Sequence, residues 1–597
     1  MLHSINKTLY IRIAFMLFFV YPLSLFGQVK IMPLGDSITK GHTGSTTKWG
    51  YLQLLYTDLG GISGHTFIFD GFNNTSGGSL NYDHFEAYQG WQAIQHSTDG
   101  SYYQYDMLSH LRNDNRPNDA GYEESNTKLT NYNPELVLLH VGTNDLYSGG
   151  YTPSQVATNV DSVLNTIYSS TYNSSASSTV VFLAKIILND SDDKGTNGPD
   201  ATKTKNYNKD LVARAVNRIV NNSDRIIVVN MQDALMYPDS GATLPPDTGR
   251  VGSSDIYDDG SELLHPYQTG YNKMAGVWYR ALNNYYQGIP TLIAPDDSAN
   301  ISFPDTLAWG IAANSVSSYM YQVSTDPNVT NNQIYNAQTS HRYFSLSDAT
   351  KFVSNTKYYW RVGGSSDGTH FTNSDIWSFT TSPLYVNATI FLQGPYSSGT
   401  MSTALNSDGY LPLDDPYGQG EHVNSIPSPN IVDWVLVQLR SGSSETNAST
   451  ATTVVAQKAV FLKKDGTVVD TDGTSPIKFG GISFGNYYIV VKHRNHLAVI
   501  SKTAETLSNN LLTCNFTDTS KVYGGDSALV VLNDGKYGMI GGNSNGDNKV
   551  YVDDYNATGS KMFSQGYFSG DLNMNGTVYV DDYNLTGSNM FKTSKVP

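Results

Sequence analysis

Four residues in the first half of the chain carry the groups that acyl transfer to a serine requires. Ser37 ends a Gly-Asp-Ser sequence directly after an apolar run, and its hydroxyl can act as a nucleophile if a base takes its proton. His265 is the candidate base. The Asn144 side-chain amide and the Gly90 backbone N–H, together with the N–H of Ser37, predict three donors to the oxyanion of such a reaction.

A carboxylate is expected to orient the histidine, and two candidates stand near it in the sequence. The carboxylate would hold one imidazole tautomer and stabilise the imidazolium. Glu262 lies three residues before His265 and is favoured over Asp259. A backbone carbonyl is the third possibility, and substitution of either carboxylate would then have a mild effect. His140, at the end of an apolar run, is expected to be a packed core histidine.

These residues lie where short apolar runs alternate with helix-period stretches. This pattern predicts βαβ units and a mostly parallel sheet with helices on both faces. The active site of such a sheet lies beyond the carboxyl ends of its strands, where Ser37 and Asn144 are both expected. The predicted strands are 29–34, 66–69, 136–141, 180–187 and 226–230, and the predicted helices include 51–59, 153–168, 203–220 and 267–286.

Two backbone features are expected to place the reacting groups. Gly35 is expected to permit unusual backbone angles in a tight turn that exposes the Ser37 hydroxyl. Pro266 suits the first turn of a helix, so His265 is expected to open the last helix of this region.

The motifs, in this order, resemble those of the SGNH (GDSL-like) hydrolase superfamily, nearest its acetylxylan-esterase-type carbohydrate esterases. The likeness spans about residues 29 to 287. Its matching blocks are 34–41 (LGDSITKG), 88–91 (YQGW), 142–145 (GTND) and 265–275 (HPYQTGYNKMA). The resemblance implies a flavodoxin-like α/β fold, with Ser37 as nucleophile, His265 as base, and Gly90 and Asn144 as oxyanion donors. The family usually has Asp where this chain has Glu262.

The function that this resemblance implies is removal of acyl groups, acetyl above all, from polysaccharides such as acetylated xylan. No cofactor is expected for catalysis. One alternative within the enzymes is a lipase or arylesterase that acts on small esters. Another is a non-catalytic extracellular protein that binds glycans or serves as a scaffold.

Composition limits the class of protein. At roughly 100 to 200 residues per domain, 597 residues predict three to five domains. Residues 1–27 resemble a secretory signal peptide, so we expect a protein without a membrane span after cleavage that is either secreted or associated with the cell surface. The formal charge of −16 argues against nucleic acid as a partner. The single cysteine, Cys514, excludes an intrachain disulfide.

The hydrophobic pattern divides the exported chain into four segments. The α/β segment spans residues 28–288. Short alternating runs over residues 289–383 predict a β-sandwich, and their aromatic pattern resembles a fibronectin type III module. Residues 384–538 are again β-rich, with no predicted chemistry. The last segment, residues 539–597, contains an internal duplication.

This duplication predicts two calcium loops. Residues 550–563 recur as residues 578–591 with twelve of fourteen positions identical. Each copy begins within the last part of a twelve-residue loop. That loop has oxygen side chains at positions 1, 3, 5 and 12, which is the spacing of a Ca²⁺ loop. The predicted ligand positions are Asn543, Asn545, Asp547, Lys549 and Asp554 in the first loop, and Asp571, Asn573, Asn575, Thr577 and Asp582 in the second.

The first loop is expected to bind calcium more weakly. Asn543 lacks charge, and Asn548 stands where the second loop has Gly576, although asparagine tolerates left-handed angles. The two loops resemble dockerin repeats, with poorer helices after them than that family shows. The resemblance implies calcium binding and a cohesin-like protein partner. The alternative is a pair of Asn/Asp turns without metal.

Overall fold

The structure is a computed structural model. It describes residues 28–41, 50–71, 86–87, 91–94, 107–112, 129–147, 150–188, 201–232, 234–236 and 265–596. The predicted signal peptide, Gly90, Asp259 and Glu262 lie outside these residues. Among the described helices, none combines the length and the apolar character that crossing a bilayer requires.

The first region is built on a parallel sheet. Its strand order is β2-β1-β4-β5-β6, with the short β3 beside the end of β1, and every one of these pairings is parallel. The central strands β4 and β5 are buried along their whole length, as expected for a sheet covered on both faces. The strands are Gln28–Gly35, Thr66–Phe69, Glu86–Ala87, Leu136–His140, Val180–Ala184 and Ile226–Val229.

Helices cover both faces of this sheet. On one face α2 packs against α8, and on the other α6 packs against α7. Alternate strand residues point to opposite faces of the sheet. Leu138 packs in the core beneath α2 and α8, and Val137 packs in the core beneath α6 and α7. The helices of this region are α1 Ser37–Lys40, α2 Leu52–Leu59, α3 Met107–Arg112, α4 Leu129–Tyr132, α5 Thr143–Tyr147, α6 Pro153–Ile167, α7 Ala201–Asn222 and α8 Gln268–Tyr286.

Sequence periodicity therefore identified the elements of the α/β region. Each of the five predicted strands and four predicted helices is present, with ends displaced by a few residues at most. The α/β fold with a parallel sheet is confirmed.

Mostly antiparallel sheets follow α8. A three-stranded sheet has the order β12-β9-β7, and a second sheet has the order β11-β10-β13-β15-β8 with β14 beside β13. Trp309 of the first and Trp360 of the second belong to one core, which agrees with two sheets packed face to face. The strands are Leu292–Ala294, Ala299–Ile301, Asp305–Trp309, Ser318–Ser324, Gln333–Thr339, Tyr343–Leu346, Lys357–Ser365, Thr372–Asn373 and Trp377–Thr381 (β7 to β15). The likeness to a fibronectin type III module stays a prediction.

The next segment is dominated by an eight-stranded sheet. Its order is β22-β16-β21-β20-β19-β23-β24, with β25 beside β16. The strands here are Leu384–Thr389, Tyr396–Ser397, Thr400–Met401, Ile431–Arg440, Val454–Lys463, Thr467–Val469, Ile477–Phe479, Tyr488–His493, His496–Ile500, Leu511–Asn515, Val530–Val531 and Tyr537–Gly538 (β16 to β27), and the short helices are Ala404–Ser407 and Glu445–Ala448 (α9 and α10).

The duplicated repeat forms a pair of loop-helix units. The helices after the loops are α11, Val552–Gly559, and α12, Val580–Ser588. The poor helical sequences therefore do fold as helices, because the two helices pack on each other, with the Tyr555 and Tyr583 rings 3.7 Å apart between centroids.

A buried polar network joins the repeat to the eight-stranded sheet. Asp433, on β19, accepts hydrogen bonds from Arg494 Nε at 2.8 Å and from the Tyr567 hydroxyl at 2.7 Å. Arg494 also donates to the Phe568 carbonyl, and Asn495 Nδ2 donates to the Asp571 carbonyl at 2.8 Å. The second loop is therefore fixed on the sheet by hydrogen bonds.

Candidate active site

Ser37 and His265 meet at the carboxyl-terminal edge of the parallel sheet. The Ser37 Oγ lies 2.8 Å from His265 Nε2, although the two residues are 228 positions apart. Their exposed fractions are 4% for Ser37 and 6% for His265, so the hydrogen bond is largely shielded from water. This is the geometry in which an imidazole takes the proton of a serine nucleophile.

The turn after β1 places the Ser37 hydroxyl. Asp36 caps α1, and its Oδ1 accepts the Ile38 N–H at 3.0 Å. Gly35 does not have the unusual backbone angles expected from the sequence. It is required for space instead, since a Cβ there would lie 2.2 Å from Thr39 Oγ1 and 2.5 Å from the His140 carbonyl.

His265 is placed ahead of the last helix rather than at its first residue. The helix α8 begins at Gln268, with Tyr267 at its N-cap, so the expectation that Pro266 occupies the first helical turn is wrong. Two non-helical residues, Pro266 and Tyr267, separate His265 from the helix. His265 therefore lies outside the helix start, and its imidazole contacts Ser37 across the sheet edge.

Asn144 lies in the first turn of α5, directly after β4 and the Gly142 turn. Its Nδ2 donates one hydrogen bond to the Trp91 carbonyl at 2.9 Å. Gly142 has a φ of 124°, and a Cβ at this position would lie 2.7 Å from the Tyr207 ring. A larger residue would therefore displace the turn that carries Asn144.

Two buried carboxyl groups stand beside these residues. Burial raises the pKa of Asp36 to about 7, and burial also raises the pKa of Asp145 to about 7. Asp145 is the residue that sequence reasoning missed: it appeared in the 142–145 motif without a role. An acidic residue at the end of a buried strand, next to a polar catalytic candidate, was the available signal.

His140 packs in the core, as expected from its place in an apolar strand. It has no exposed surface, and neither ring nitrogen has a hydrogen-bond partner among the described residues. Burial lowers the pKa of His140 to about 4, so its imidazole is neutral at physiological pH.

Three of the predicted site residues lie in the described part of the active site, and three do not. Ser37 and His265 are in hydrogen-bonding contact, and Asn144 lies at the same sheet edge. Gly90, Glu262 and Asp259 fall outside the described residues. Trp91, which follows Gly90 in the sequence, accepts a hydrogen bond from Asn144 and so lies beside this predicted oxyanion donor.

The two predicted calcium loops have the same backbone form. Position six has a left-handed conformation in both, with φ of 67° at Asn548 and 81° at Gly576. The last acid of each loop closes it in the same way: Asp554 accepts the Asn545 N–H at 3.0 Å, and Asp582 accepts the Asn573 N–H at 3.0 Å.

The donor set of the loops fits a hard cation. Each loop offers two carboxylates along with amide and carbonyl oxygens, which suit Ca²⁺. Among the described residues, no group of three or more His, Cys, Asp or Glu side chains converges. Asp571 and Asp582 are buried close to each other, and burial raises the pKa of Asp571 to about 6. A bound cation would offset the cost of burying this pair.

The chain was compared with known protein families. The sequence profile of the GDSL-like lipase/acylhydrolase family matches residues 31–374, more than half of the chain. The chain belongs to this family. The match includes Ser37, Asn144 and His265, and it extends past α8 into the first antiparallel sheets. Membership in the GDSL-like family assigns the chain to the carboxylic ester hydrolases.

Several solved structures are similar to part of this chain. The Clostridium thermocellum family 3 carbohydrate esterase is 23% identical over 42% of this chain and 94% of its own, with a TM-score of 0.28. A family 3 carbohydrate esterase from Talaromyces cellulolyticus is 19% identical over 42% and 96%, with a TM-score of 0.28. The native M. smegmatis aryl esterase is 14% identical over 43% and 99%, with a TM-score of 0.27.

No curated protein sequence matches the chain.

Proposed function

We propose that this GDSL-like hydrolase is a secreted serine esterase that removes acyl groups, acetyl above all, from polysaccharides such as acetylated xylan. The contact of 2.8 Å between Ser37 Oγ and His265 Nε2 supports the chemistry. The β modules that follow the α/β region favour a polymeric substrate, since an enzyme for small soluble esters has little need of them. The signal-peptide pattern of residues 1–27 supports secretion.

The proposed reaction is acyl transfer in two steps. Ser37 Oγ attacks the ester carbonyl carbon while His265 Nε2 takes the hydroxyl proton. The Asn144 amide and the Ser37 N–H donate to the oxyanion, with Gly90 as the third proposed donor. His265 then protonates the leaving alcohol, and a water molecule, activated by the same imidazole, hydrolyses the acyl-serine. Glu262, or Asp259 in its place, is proposed to hold the imidazole tautomer.

Hydrolysis of p-nitrophenyl acetate by the full chain tests this chemistry. We expect turnover by the wild type and a loss of roughly 10⁴-fold or more in kcat for Ser37→Ala, because the nucleophile is gone while the binding groups remain. Thr39→Ser is a matched control, since it changes a buried hydroxyl residue two positions away, in the same short helix. A Ser37→Ala variant with wild-type turnover would refute the proposal.

The substrate class needs a separate measurement. Acetate release from a panel of acetylated polysaccharides is compared with hydrolysis of longer-chain aryl and lipid esters. Release from acetylated xylan or a related glycan supports the proposed substrate. Activity on small esters alone would replace it with an arylesterase or lipase.

The repeat is proposed to bind calcium and, through its surface, a cohesin-like protein. Asp571, Asn573, Asn575 and Asp582 would hold the ion in the second loop through side-chain oxygens, and Thr577 through its backbone carbonyl. The ion would fix the loop geometry. Two apolar clusters on the surface of the repeat support a protein partner: Phe563 with Tyr579, and Phe591 with Tyr551, in edge-to-face contact.

These clusters are exposed. Phe563 and Phe591 have exposed fractions of 73% and 74%, so each cluster presents an aromatic surface that a protein partner could cover. Pull-down with a cohesin domain, in calcium and in chelator, tests the partner. Equal absence of binding in both conditions would refute it.

A further inference from the structure

Asp145 contacts a chain segment that is distant in sequence. It lies in α5, one residue after Asn144, and is fully buried. Both of its carboxylate oxygens accept the backbone N–H of Ala93, at 3.2 Å for Oδ1 and 3.1 Å for Oδ2. The two residues are 52 positions apart, so the contact joins two separate connections of the parallel sheet.

The neighbours of Asp145 and Ala93 are hydrogen-bonded to each other as well. Asn144 Nδ2 donates to the Trp91 carbonyl at 2.9 Å, and Gln92 Nε2 donates to the Asn144 carbonyl at 3.4 Å. Residues 91, 92 and 93 thus each contact residue 144 or 145. Trp91 is itself nearly fully buried, so its carbonyl has little freedom to shift.

A helix-stabilising role does not account for this arrangement. Asp145 is an acid in the first turn of α5, where a carboxylate interacts favourably with the helix dipole. An exposed carboxylate would serve that purpose without the cost of burial. Asp145 also interacts with its own backbone N–H and with the Asn159 side chain, but both of its oxygens accept the Ala93 N–H, which lies outside the helix.

We infer that Asp145 is a positioning residue for ester hydrolysis, which acts through Asn144. By binding the Ala93 N–H it fixes the backbone of residues 91–93, and the Trp91 carbonyl then holds one N–H of the Asn144 amide. Because one N–H of the Asn144 amide is bonded to the Trp91 carbonyl, the amide plane is fixed and its other N–H is directed toward the oxyanion. The inference rests on the proposed function, in which Asn144 is an oxyanion donor.

A double-mutant cycle tests this inference. The full chain is compared as wild type, Asn144→Ala, Asp145→Ala and the double variant, with p-nitrophenyl acetate as substrate. We expect Asp145→Ala to lower kcat about 10- to 100-fold, the range of a lost hydrogen bond to a charged group, with KM nearly unchanged. In the double variant we expect little further loss beyond Asn144→Ala, because Asp145 then has no amide to position.

Asp145→Asn covers the case in which the alanine variant does not fold. The amide oxygen can still accept the Ala93 N–H, so a smaller loss, about 2- to 10-fold, is expected, and it should again disappear in the Asn144→Ala background. The unfolding midpoint of each variant is measured alongside, so that kcat refers to folded protein.

The possible failures can be told apart. Losses that multiply fully in the double variant, or wild-type kcat in the folded Asp145 variants, would overturn the inference while leaving the esterase intact. If the wild type itself does not hydrolyse the ester, the proposed function fails, and the inference fails with it.

Discussion

Ser37 and His265 are separated by 228 positions, whereas each predicted calcium loop draws its donors from twelve consecutive residues. The active site therefore exists only when the parallel sheet brings the ends of its strands to one edge. The loops need only left-handed angles at a few positions, such as Asn548 and Gly576, and a closing acid. The first site depends on packing across the whole region, and the second on local geometry.

The two loops, although local in shape, are also bound to the eight-stranded sheet. The second loop is hydrogen-bonded to the eight-stranded sheet through Asn495, while Asn495 also accepts the Asn543 N–H of the first loop through its carbonyl, at 3.1 Å. Local sequence thus determines the shape of each loop, and the sheet determines where the pair sits.

After the loss of the nucleophile itself, the largest expected effect concerns the oxyanion donor in the site built from distant residues. Asn144→Ala should lower kcat roughly 10²- to 10³-fold, since it removes a donor to the oxyanion, while KM changes little. Steady-state kinetics on p-nitrophenyl acetate measure this loss.

Asn208→Ala is the matched control for the Asn144 variant. Asn208 is a buried amide on α7 that exchanges two hydrogen bonds with the backbone of Ile186. This variant should lose stability but keep kcat per folded molecule. If both asparagine variants lost activity alike, Asn144 would be a packing residue only.

An intermediate effect is expected in the loops, where the two copies serve as controls for each other. Asp571→Asn places an uncharged residue at position 1 of the second loop, where the first loop has Asn543. The calcium affinity of the second loop should then fall about tenfold or more. The reciprocal Asn543→Asp should strengthen the first loop. Calorimetric titration of the full chain measures both changes, and esterase activity should stay unaltered.

One outcome would contradict calcium binding, and another would contradict the predicted order of the two affinities. Absence of binding heat in the wild type would leave only Asn/Asp turns. Equal affinity of the two loops would show that the charge at the first position does not distinguish them.

The smallest expected effect is a pH dependence of stability. Burial raises the pKa of Asp36 from 3.8 to about 7, so between these values the native state binds a proton that the unfolded state has released. The free energy of unfolding therefore falls as pH rises from about 4 to about 7, and stays lower above that range. Burial of Asp145 acts in the same direction.

Asp36→Asn should remove part of this dependence. Its amide oxygen can still accept the Ile38 N–H, so the cap is kept while the titration is lost. Urea unfolding at pH 5 and pH 8 should show a smaller difference between the two pH values in the variant than in the wild type, by a few kcal/mol at most. An unchanged difference would mean that Asp36 titrates alike in both states.

Much of the architecture was predictable because it depends on periodicity. Apolar runs such as 136–141 gave strands that are buried on both faces, and the duplication at 550–563 and 578–591 gave two loops of one form. The prediction that Ser37 and Asn144 lie at one sheet edge followed from the same pattern. The sequence predicts poor helices after the loops, yet both helices form, because each is stabilised by packing on the other.

The tertiary structure decides the need for glycine at position 35, the start of α8 and the contact of Asp145 with Ala93. A Cβ at Gly35 would meet the His140 carbonyl, which belongs to a neighbouring strand. Asp145 binds an N–H that is 52 positions away. Sequence periodicity predicts which face of a helix or strand is apolar. A contact between two connections of a sheet cannot be predicted in this way, because the residues that form it follow no periodic pattern. Such contacts form only once packing has fixed the strands beside one another.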